Sequence, residues 1–211
     1  PFYLAHSLDV KLEHLGNCKD WIYENKWDGI RGQLIKRNNE VMLWSRGGEL
    51  ISSQFPDLLE IGTDISNGTV IDGEILPFKN SKIGSFNDLQ KRLGRKKVST
   101  KIIRENPVVL KAYDLLEHNN NDIRYLSYIK RREYLSEIIT FANHPLLTIS
   151  KYFEISKWKN AINAYSQSRE NRSEGLMIKN KNAVYKVGRK KGDWWKWKVE
   201  PYTIDAVLTY A

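Results

Sequence analysis

Short polar turns between strand-forming runs constrain the fold of this chain more than any other feature. Asp28-Gly29 separates the aromatic and β-branched run 21–23 from the alternating run 30–35, and Asn38-Asn39 separates that run from the apolar stretch 41–44. Glycine accepts a positive φ without strain, so Asp-Gly is a strong turn signal. Connections this short indicate hairpins between antiparallel strands. The sequence therefore predicts an α+β fold with mostly antiparallel sheets flanked by helices, and not a doubly wound parallel sheet.

Further strands and helices are interspersed along the rest of the chain. Runs of β-branched and aromatic residues predict strands over residues 69–76, 107–116, 174–179, 194–199 and 204–210. Helical spacing of apolar residues predicts helices over 56–65, 85–93, 127–141 and 156–168. The residues expected to face inward in the last two helices are Ile129, Leu135, Ile138 and Ile139, then Trp158, Ile162 and Tyr165.

The composition indicates a partner that carries negative charge. The 211 residues have a formal net charge of +9, and 41% of them are hydrophobic, which is enough for a sizeable core in one domain or slightly more. A basic patch over residues 91–97 is either a solvated helix end or a surface that contacts phosphate. The single cysteine, Cys18, excludes a disulfide within the chain, and no apolar run is long enough to span a membrane.

Lys26 is a candidate nucleophile. It lies between a strand-forming run and the Asp28-Gly29 turn, where rigid backbone on both sides holds its side chain. A neighbouring cation such as Arg31 disfavours protonation of a lysine, and a neutral amine can attack a phosphorus or carbonyl centre. The alternative is an ordinary hairpin with a surface lysine, and this window alone supports both interpretations equally.

Two carboxylates lie in the apolar strand predicted over residues 69–76. Asp72 and Glu74 are two residues apart, so their side chains face the same side of the sheet. Lys196 and Lys198 likewise share one strand face, as a phosphate clamp requires. The sequence contains no Gly-x-x-x-x-Gly-Lys-Ser/Thr loop and no Gly-x-Gly-x-x-Gly motif, so a nucleotide would have to be bound by a different type of motif.

Six stretches, taken in order along the chain, resemble the motifs of the covalent nucleotidyltransferase superfamily, and most closely those of the ATP-dependent DNA ligases. The stretches are Glu24-Asn25-Lys26-Trp27-Asp28-Gly29-Ile30-Arg31, Ser45-Arg46, Asp72-Gly73-Glu74, Lys111-Ala112-Tyr113-Asp114-Leu115, Glu174-Gly175-Leu176-Met177-Ile178-Lys179 and Trp195-Lys196-Trp197-Lys198. The resemblance implies a nucleotidyltransferase adenylation domain, with an ATP-grasp-like architecture, over residues 1–200. It also implies that residues 201–211 begin a truncated C-terminal OB-fold domain.

The resemblance also implies a role for each residue of the site. Lys26 would attack the α-phosphorus of ATP, release pyrophosphate and become lysyl-AMP; the AMP would pass to the 5′-phosphate of a DNA nick, which the 3′-hydroxyl then seals. The implied nucleotide contacts are Glu24 at adenine, Tyr113 stacked on the base, Arg31 and Arg46 at the ribose and phosphates, and Arg189, Lys196 and Lys198 at the phosphates. Glu74 and Glu174 would bind or orient Mg²⁺, with Mn²⁺ as an alternative, and hard oxygen ligands suit such a cation. Phosphoryl transfer depends on positioning and charge neutralisation, which these residue types provide.

Most of these assignments have a structural alternative. Glu74 could be a buried ion-pair partner, Tyr113 a core aromatic residue, and the two lysines of the last motif half-buried side chains with their amines in solvent. Asp72 could orient the site, cap a turn or pair with a lysine. Asp28 shapes the turn, and Lys179 could support the acidic residues electrostatically, with no assigned chemistry.

The resemblance further implies a setting for the protein. The protein would be a bacterial ligase with a minimal N-terminal extension, and the sequence would be cut or trimmed from a longer chain. It would act as a monomer in the cytoplasm, at the nucleoid. Its partners would be nicked double-stranded DNA and, in cis, the missing OB domain. The alternatives are an RNA ligase, an mRNA-capping guanylyltransferase and, in a different class, a non-catalytic nucleic-acid-binding module.

Overall fold

A computed structural model of the chain describes residues 1–200. The strands are β1 (Tyr3–Leu4), β2 (His6–Ser7), β3 (Trp21–Trp27), β4 (Ile30–Arg37), β5 (Glu40–Ser45), β6 (Thr69–Lys79), β7 (Lys82–Ile83), β8 (Val108–His118), β9 (Asn121–Asp122), β10 (Leu147–Ile149), β11 (Tyr152–Phe153), β12 (Ser173–Asn180), β13 (Gly188–Arg189) and β14 (Trp194–Lys198). The α-helices are α1 (Phe86–Gln90), α2 (Thr100–Glu105), α3 (Tyr128–Ala142) and α4 (Trp158–Ser166). The expected OB-fold segment 201–211, with its strand 204–210, lies outside the described residues.

Two sheets form the framework. The larger has the strand order β10-β8-β6-β4-β5, with β7 paired to β6 and β9 to β8, and the smaller has the order β11-β3-β12-β14-β2. Within these sheets, the pairs β10–β8 and β14–β2 are parallel and the others are antiparallel. A separate parallel pair joins β1 to β13. The predicted α+β class with mostly antiparallel sheets is confirmed.

The Asp28-Gly29 turn does not form the hairpin that the sequence suggests. It joins β3 of the smaller sheet to β4 of the larger one, so the chain changes sheets at this point. A Cβ on Gly29 would lie 2.3 Å from the backbone oxygen of Ile75, so glycine is required here because β6 passes so close. The Asn38-Asn39 turn does close a hairpin, between β4 and β5, and both asparagines have positive φ, at 50° and 63°.

Three apolar clusters fix the positions of the two sheets. The first joins one face of the larger sheet, through residues such as Ile71 and Leu110, to Leu135 of α3. The second lies between the sheets and includes Ile22 and Trp194. The third joins the outer face of the smaller sheet to α4. The sheets therefore face each other across a shared interior, with helices covering their outer faces.

The helices agree with the sequence in position but differ in detail. The helix expected over residues 56–65 is a 3-10 helix from Pro56 to Thr63. The helix expected over 156–168 begins at Trp158 and ends at Ser166. Ile162 was expected to face inward, but it is 52% exposed, and Ala161 is the buried residue of that helix. Within residues 1–200, no helix is both long enough and apolar enough to cross a membrane.

Two arginines that look like surface residues in the sequence are fully buried. Arg131 of α3 donates from Nε to Oδ1 of Asp114 at 2.7 Å and from Nη2 to Oδ2 at 2.9 Å, and both side chains are inaccessible to solvent. Arg92, from the expected basic patch, makes a similar bidentate contact with Asp57: its Nη1 and Nη2 donate to Oδ1 and Oδ2 at 2.7 and 2.9 Å. Arg92 is therefore a structural residue, and the interpretation of the whole patch as exposed was wrong at this position.

Candidate active site

A cleft of about 550 Å³ opens between the two sheets, where β3, β4, β6, β8, β12 and β14 come together. All of the site residues expected from the sequence line this cleft: Glu24, Lys26, Arg31, Arg46, Glu74, Tyr113, Glu174, Arg189, Lys196 and Lys198. These residues come from both halves of the sequence and from both sheets, and the fold brings them to one place.

Lys26 lies near the end of β3 and is paired with a carboxylate. Its Nζ donates to Oε1 of Glu174, and Nζ of Lys198 lies 2.8 Å from Oε2 of the same residue. Glu174 therefore connects the candidate nucleophile to one of the two lysines of the last motif. Burial opposes ionisation of Glu174, but hydrogen bonds from Lys198 and Lys26 outweigh it and lower the pKa of that carboxyl group.

A β-bulge places Glu174 at the cleft. The pairing of β12 with β3 shifts register between Ser173 and Leu176. Gly175, within this bulge, has a φ of 134°, and a Cβ there would lie 2.0 Å from the backbone oxygen of Trp197. Only glycine fits this position, because any other residue would be strained and would collide with β14.

Arg31 was expected beside Lys26 as a neighbouring cation, but its guanidinium is held by Asp72. Nε and Nη2 of Arg31 donate to the two oxygens of Asp72 at 3.1 and 2.7 Å, and Nη1 donates to the backbone oxygen of Tyr3 at 2.7 Å. Burial opposes the charge of Arg31, but Asp72 holds the pKa of the guanidinium well above its ordinary value. The open question about Asp72 is thereby answered, since it pairs with an arginine and not with a lysine.

Glu24 lies at the closed end of the cleft in a buried charge network. Its Oε2 is 2.7 Å from Nζ of Lys179, its Oε1 is 3.3 Å from Nη1 of Arg132, and each of the three side chains is 2% exposed. Burial lowers the pKa of Lys179, and the charge of Glu24 opposes that shift. The Glu24 Oε1 atom makes no hydrogen bond within the described residues, so it remains able to accept one from a ligand.

Tyr113 and Lys179 form one side of the same pocket. The ammonium group of Lys179 lies 4.5 Å from the centre of the Tyr113 ring, and the rings of Tyr128 and Trp194 lie at 4.7 and 4.6 Å. From the sequence, Lys179 was expected at most to support the acidic residues electrostatically, and Arg132 and Tyr128 were not singled out. Lys179 ends one of the six ligase-like stretches, but no local signal marks Arg132 or Tyr128, because their partners come from distant parts of the chain.

Cationic side chains line the opposite, more open end of the cleft. Lys196 and Lys198 alternate with tryptophans along β14, Arg189 ends β13, and Arg46 follows β5. Partial burial lowers the pKa of Lys196, and the nearby charges of Arg189 and Lys198 act in the same direction. Mutual repulsion of this kind favours an anion between the cations, so this end of the cleft is suited to phosphate.

The cleft also holds two carboxylates that fit a divalent cation bound together with phosphate. Both Glu74 and Glu174 line the cleft, and Glu174 also contacts Lys26 and Lys198 there. Among residues 1–200, no three histidine, cysteine, aspartate or glutamate side chains cluster as a complete metal site. Mg²⁺ commonly uses one or two protein carboxylates and takes its other ligands from water and substrate phosphates. The residues present therefore fit a cation that arrives with a nucleotide.

Burial makes Glu74 an unusually weak acid. It raises the pKa of Glu74 from 4.5 to about 8, although the charges of Arg31 and Lys26 partly oppose the shift. The folded protein therefore keeps a proton that the unfolded chain releases above pH 4.5. The stability contributed by this group is full below that pH and is lost as the pH rises to about 8.

Replacement of Glu74 with glutamine tests this linkage. Between about pH 5 and pH 8, we expect the wild type to lose about 1–3 kcal/mol of unfolding free energy relative to the Glu74→Gln variant. Each unit of difference between the folded and unfolded pKa values is worth about 1.4 kcal/mol at most. Urea titrations of both proteins across this range measure the difference. Parallel pH profiles for the two proteins would contradict it.

Comparison with known proteins identifies the family. The family model described as ATP-dependent DNA ligase domain matches residues 3–198. The chain belongs to the ATP-dependent DNA ligase domain family. The family expected from the six stretches is confirmed, and the matched residues contain every candidate site residue.

The ligase domain is similar to curated proteins and solved structures. It is 32% identical to a DNA ligase of Methanococcus aeolicus, over 90% of this chain and 34% of that protein. It is 29% identical to a probable DNA ligase of Koribacter versatilis, over 99% of this chain and 40% of that protein. The structure of mycobacterial DNA ligase D complexed with ATP and MES superposes with a TM-score of 0.71 at 24% identity, covering 93% of this chain and 59% of that one. The chain thus spans 40% or less of the length of these two curated relatives, and the structural likeness shows the fold.

Proposed function

We propose that this chain is the adenylation part of an ATP-dependent DNA ligase. The observation that carries the proposal is the position of Lys26, which lies in a single cleft between a closed end suited to a base and a cationic end suited to phosphates. The family match adds that the residues around Lys26 belong to a ligase domain.

In the first step, Lys26 attacks the α-phosphorus of ATP. The neutral amine is the attacking form, so before the attack Lys26 loses to solvent the proton that it shares with Glu174 in their hydrogen bond. A bond forms between Nζ and the α-phosphorus, the bond from that phosphorus to the bridging oxygen breaks, and pyrophosphate leaves. Lys196 and Lys198 neutralise charge on the phosphates during this exchange, which is the main demand of phosphoryl transfer.

The closed end of the cleft holds the base. The Tyr113 ring provides a stacking face, and Oε1 of Glu24 accepts a hydrogen bond from the exocyclic amine of adenine. Guanine has an oxygen at that position, which would face the carboxylate with two acceptors and no donor. This arrangement favours ATP over GTP. Arg31 contributes chiefly by fixing the surrounding backbone, with one N–H of its Nη1 still available, and Arg46 and Arg189 contact phosphate.

Glu174 and Glu74, whose proton the cation would displace, would hold Mg²⁺, or Mn²⁺ in its place, together with phosphate oxygens. When bound, the cation supplies further neutralisation of charge on the α-phosphate and the leaving pyrophosphate.

The later steps use DNA. The AMP on Lys26 passes to the 5′-phosphate of a nick in double-stranded DNA, and attack by the 3′-hydroxyl seals the strand and releases AMP. A substrate of this kind accounts for the net charge of +9. We place the protein with its DNA, at the bacterial nucleoid, where it acts as a monomer.

Intact-mass measurement before and after incubation with ATP and Mg²⁺ tests the proposal, with GTP in parallel and peptide mapping of any adduct. We expect an AMP adduct on Lys26 with ATP and little or no GMP adduct. A GMP adduct would indicate capping chemistry instead. The absence of any adduct, also in a chain extended past residue 211, would contradict the proposal and support a non-catalytic binding module.

A further inference from the structure

The positive charge of the chain is concentrated in one segment. Residues 82–104 contain eight lysines and arginines and one acidic residue, so they account for +7 of the net charge of +9. Basic residues elsewhere in the chain are nearly balanced by acidic ones. Charge on this scale in a short segment produces a local field that attracts polyanions.

Buried contacts anchor this segment and leave its cations exposed. Arg92 is inaccessible to solvent, and besides its contact with Asp57 its Nε donates to the backbone oxygen of Asn106 at 3.0 Å. Leu89 on one side of it and Val98 on the other are also buried. The residues between these anchors, Arg95, Lys96 and Lys97, are exposed. Within residues 1–200, neither Lys96 nor Lys97 has an ion-pair or hydrogen-bond partner. Residues 91–97, the basic patch expected from the sequence, are called the basic loop from here on.

The segment that leads to the basic loop begins at the active-site cleft. Phe86, the first residue of α1, lines the cleft. Just before it, the backbone oxygen of Ile83 accepts a hydrogen bond from Nη1 of Arg172, two residues before Glu174. Helix α1 therefore runs from the edge of the cleft toward the basic loop.

The distance from the cleft to the basic loop suits duplex DNA. Helix α1 covers about 6 Å at a rise of about 1.5 Å per residue, and the following seven residues span at most about 24 Å. Lys97 thus lies within about 30 Å of Phe86, which is less than one turn of B-form DNA at about 34 Å. A duplex with its nick in the cleft is therefore long enough to reach the loop within one helical turn.

We propose that the basic loop binds the phosphate backbone of duplex DNA within one helical turn of the nick. This inference rests on the proposed function, since it takes the nick to lie in the cleft. Arg95, Lys96 and Lys97 make the contacts, and the buried Arg92–Asp57 pair fixes the loop in position. Contacts to phosphate carry no sequence information, so the loop strengthens binding to nicked and intact duplexes alike.

A triple variant, Arg95→Ala with Lys96→Ala and Lys97→Ala, tests the proposal. The matched control replaces three exposed lysines outside the cleft, Lys130, Lys157 and Lys159, with alanine, so both variants lose the same charge. Binding to a nicked duplex of about 30 base pairs, which gives more than one turn on each side of the nick, is measured by fluorescence anisotropy over a series of salt concentrations. Adduct formation with ATP is measured on the same samples by intact mass.

We expect the loop variant to bind the nicked duplex at least about tenfold more weakly than the wild type. The slope of log K against log [salt] should become shallower by about 2–3, because each lost phosphate contact removes about 0.9 from it. The control variant should stay within about threefold of the wild type, and both variants should form the adduct at the wild-type rate, which shows that they fold. Replacing Lys96 and Lys97 with glutamate should weaken binding further.

Two results would overturn the proposal: unchanged DNA binding by the loop variant, or equal losses in the loop and control variants. A wild-type chain that forms no nucleotide adduct contradicts the proposed function instead, so the two failures are distinguishable.

Discussion

The Lys26→Arg variant is expected to form no nucleotide adduct, a loss of at least about a thousandfold in rate, because removal of a covalent nucleophile eliminates the step that it performs. Arginine keeps the positive charge and can keep the contact with Glu174, so the cleft retains its charge balance. A guanidinium is never neutral at accessible pH and cannot attack phosphorus. Intact mass after incubation with ATP and Mg²⁺ measures the result, and Lys26→Ala should behave in the same way.

Two controls make this experiment specific. Lys19→Ala removes an exposed lysine from the segment just before β3 and should leave adduct formation unchanged. Thermal unfolding of each variant shows whether the fold is intact. An adduct that persists in a folded Lys26→Arg protein would move the nucleophile to another residue and contradict the proposed mechanism.

The second large effect concerns stability and comes from the Arg131–Asp114 pair. Replacing Arg131 with methionine is expected to lower the free energy of unfolding by about 3–5 kcal/mol, because it leaves the buried carboxylate of Asp114 without its charge partner and with only the backbone N–H of Leu115 as a donor. Burial already raises the pKa of Asp114 despite the neighbouring guanidinium. The variant also removes the hydrogen bonds that Arg131 Nη1 donates to the backbone oxygens of Leu126 and Ala183. Urea denaturation measures the change.

A matched pair of variants separates burial from charge. Arg37→Met breaks the pair of Arg37 with Glu117, where the arginine is 54% exposed, and should cost less than about 1 kcal/mol. The double variant Arg131→Met with Asp114→Leu should recover most of the loss, since apolar side chains of similar size can replace a buried ion pair. Equal effects of Arg131→Met and Arg37→Met would show that burial does not control the cost.

Strand positions were predictable because they depend on local patterns, and the contents of the cleft were predictable because six short stretches resemble ligase motifs. The alternating run 30–35 and the apolar stretch 41–44 became β4 and β5, and the spacing of Lys196 and Lys198 places both at the cleft. The separation of β3 and β4 into two sheets was not predictable in this way. A hairpin and a change of sheet begin with the same Asp-Gly pair, and only the distant strand β6, beside Gly29, distinguishes them.

The buried cations were not predictable for a related reason. Arg92 lies in the turn that follows α1 and Arg131 lies in the first turn of α3, and arginine is ordinarily exposed at such positions. Each is buried because one particular carboxylate meets it, and those carboxylates lie 35 and 17 residues away in the sequence. Ile162 shows the converse error, since helical spacing identifies an apolar stripe without showing how wide a face the neighbouring sheet covers.

The aromatic rings around Lys179 give the cleft a built-in optical reporter. Trp194 is 1% exposed, its ring lies 4.4 Å from that of Tyr3, and it also lines the cleft with Trp27. The emission of an indole depends on the charges and water around it. Occupation of the cleft changes both beside these two tryptophans, so ligand binding can be followed by the fluorescence of the unlabelled protein.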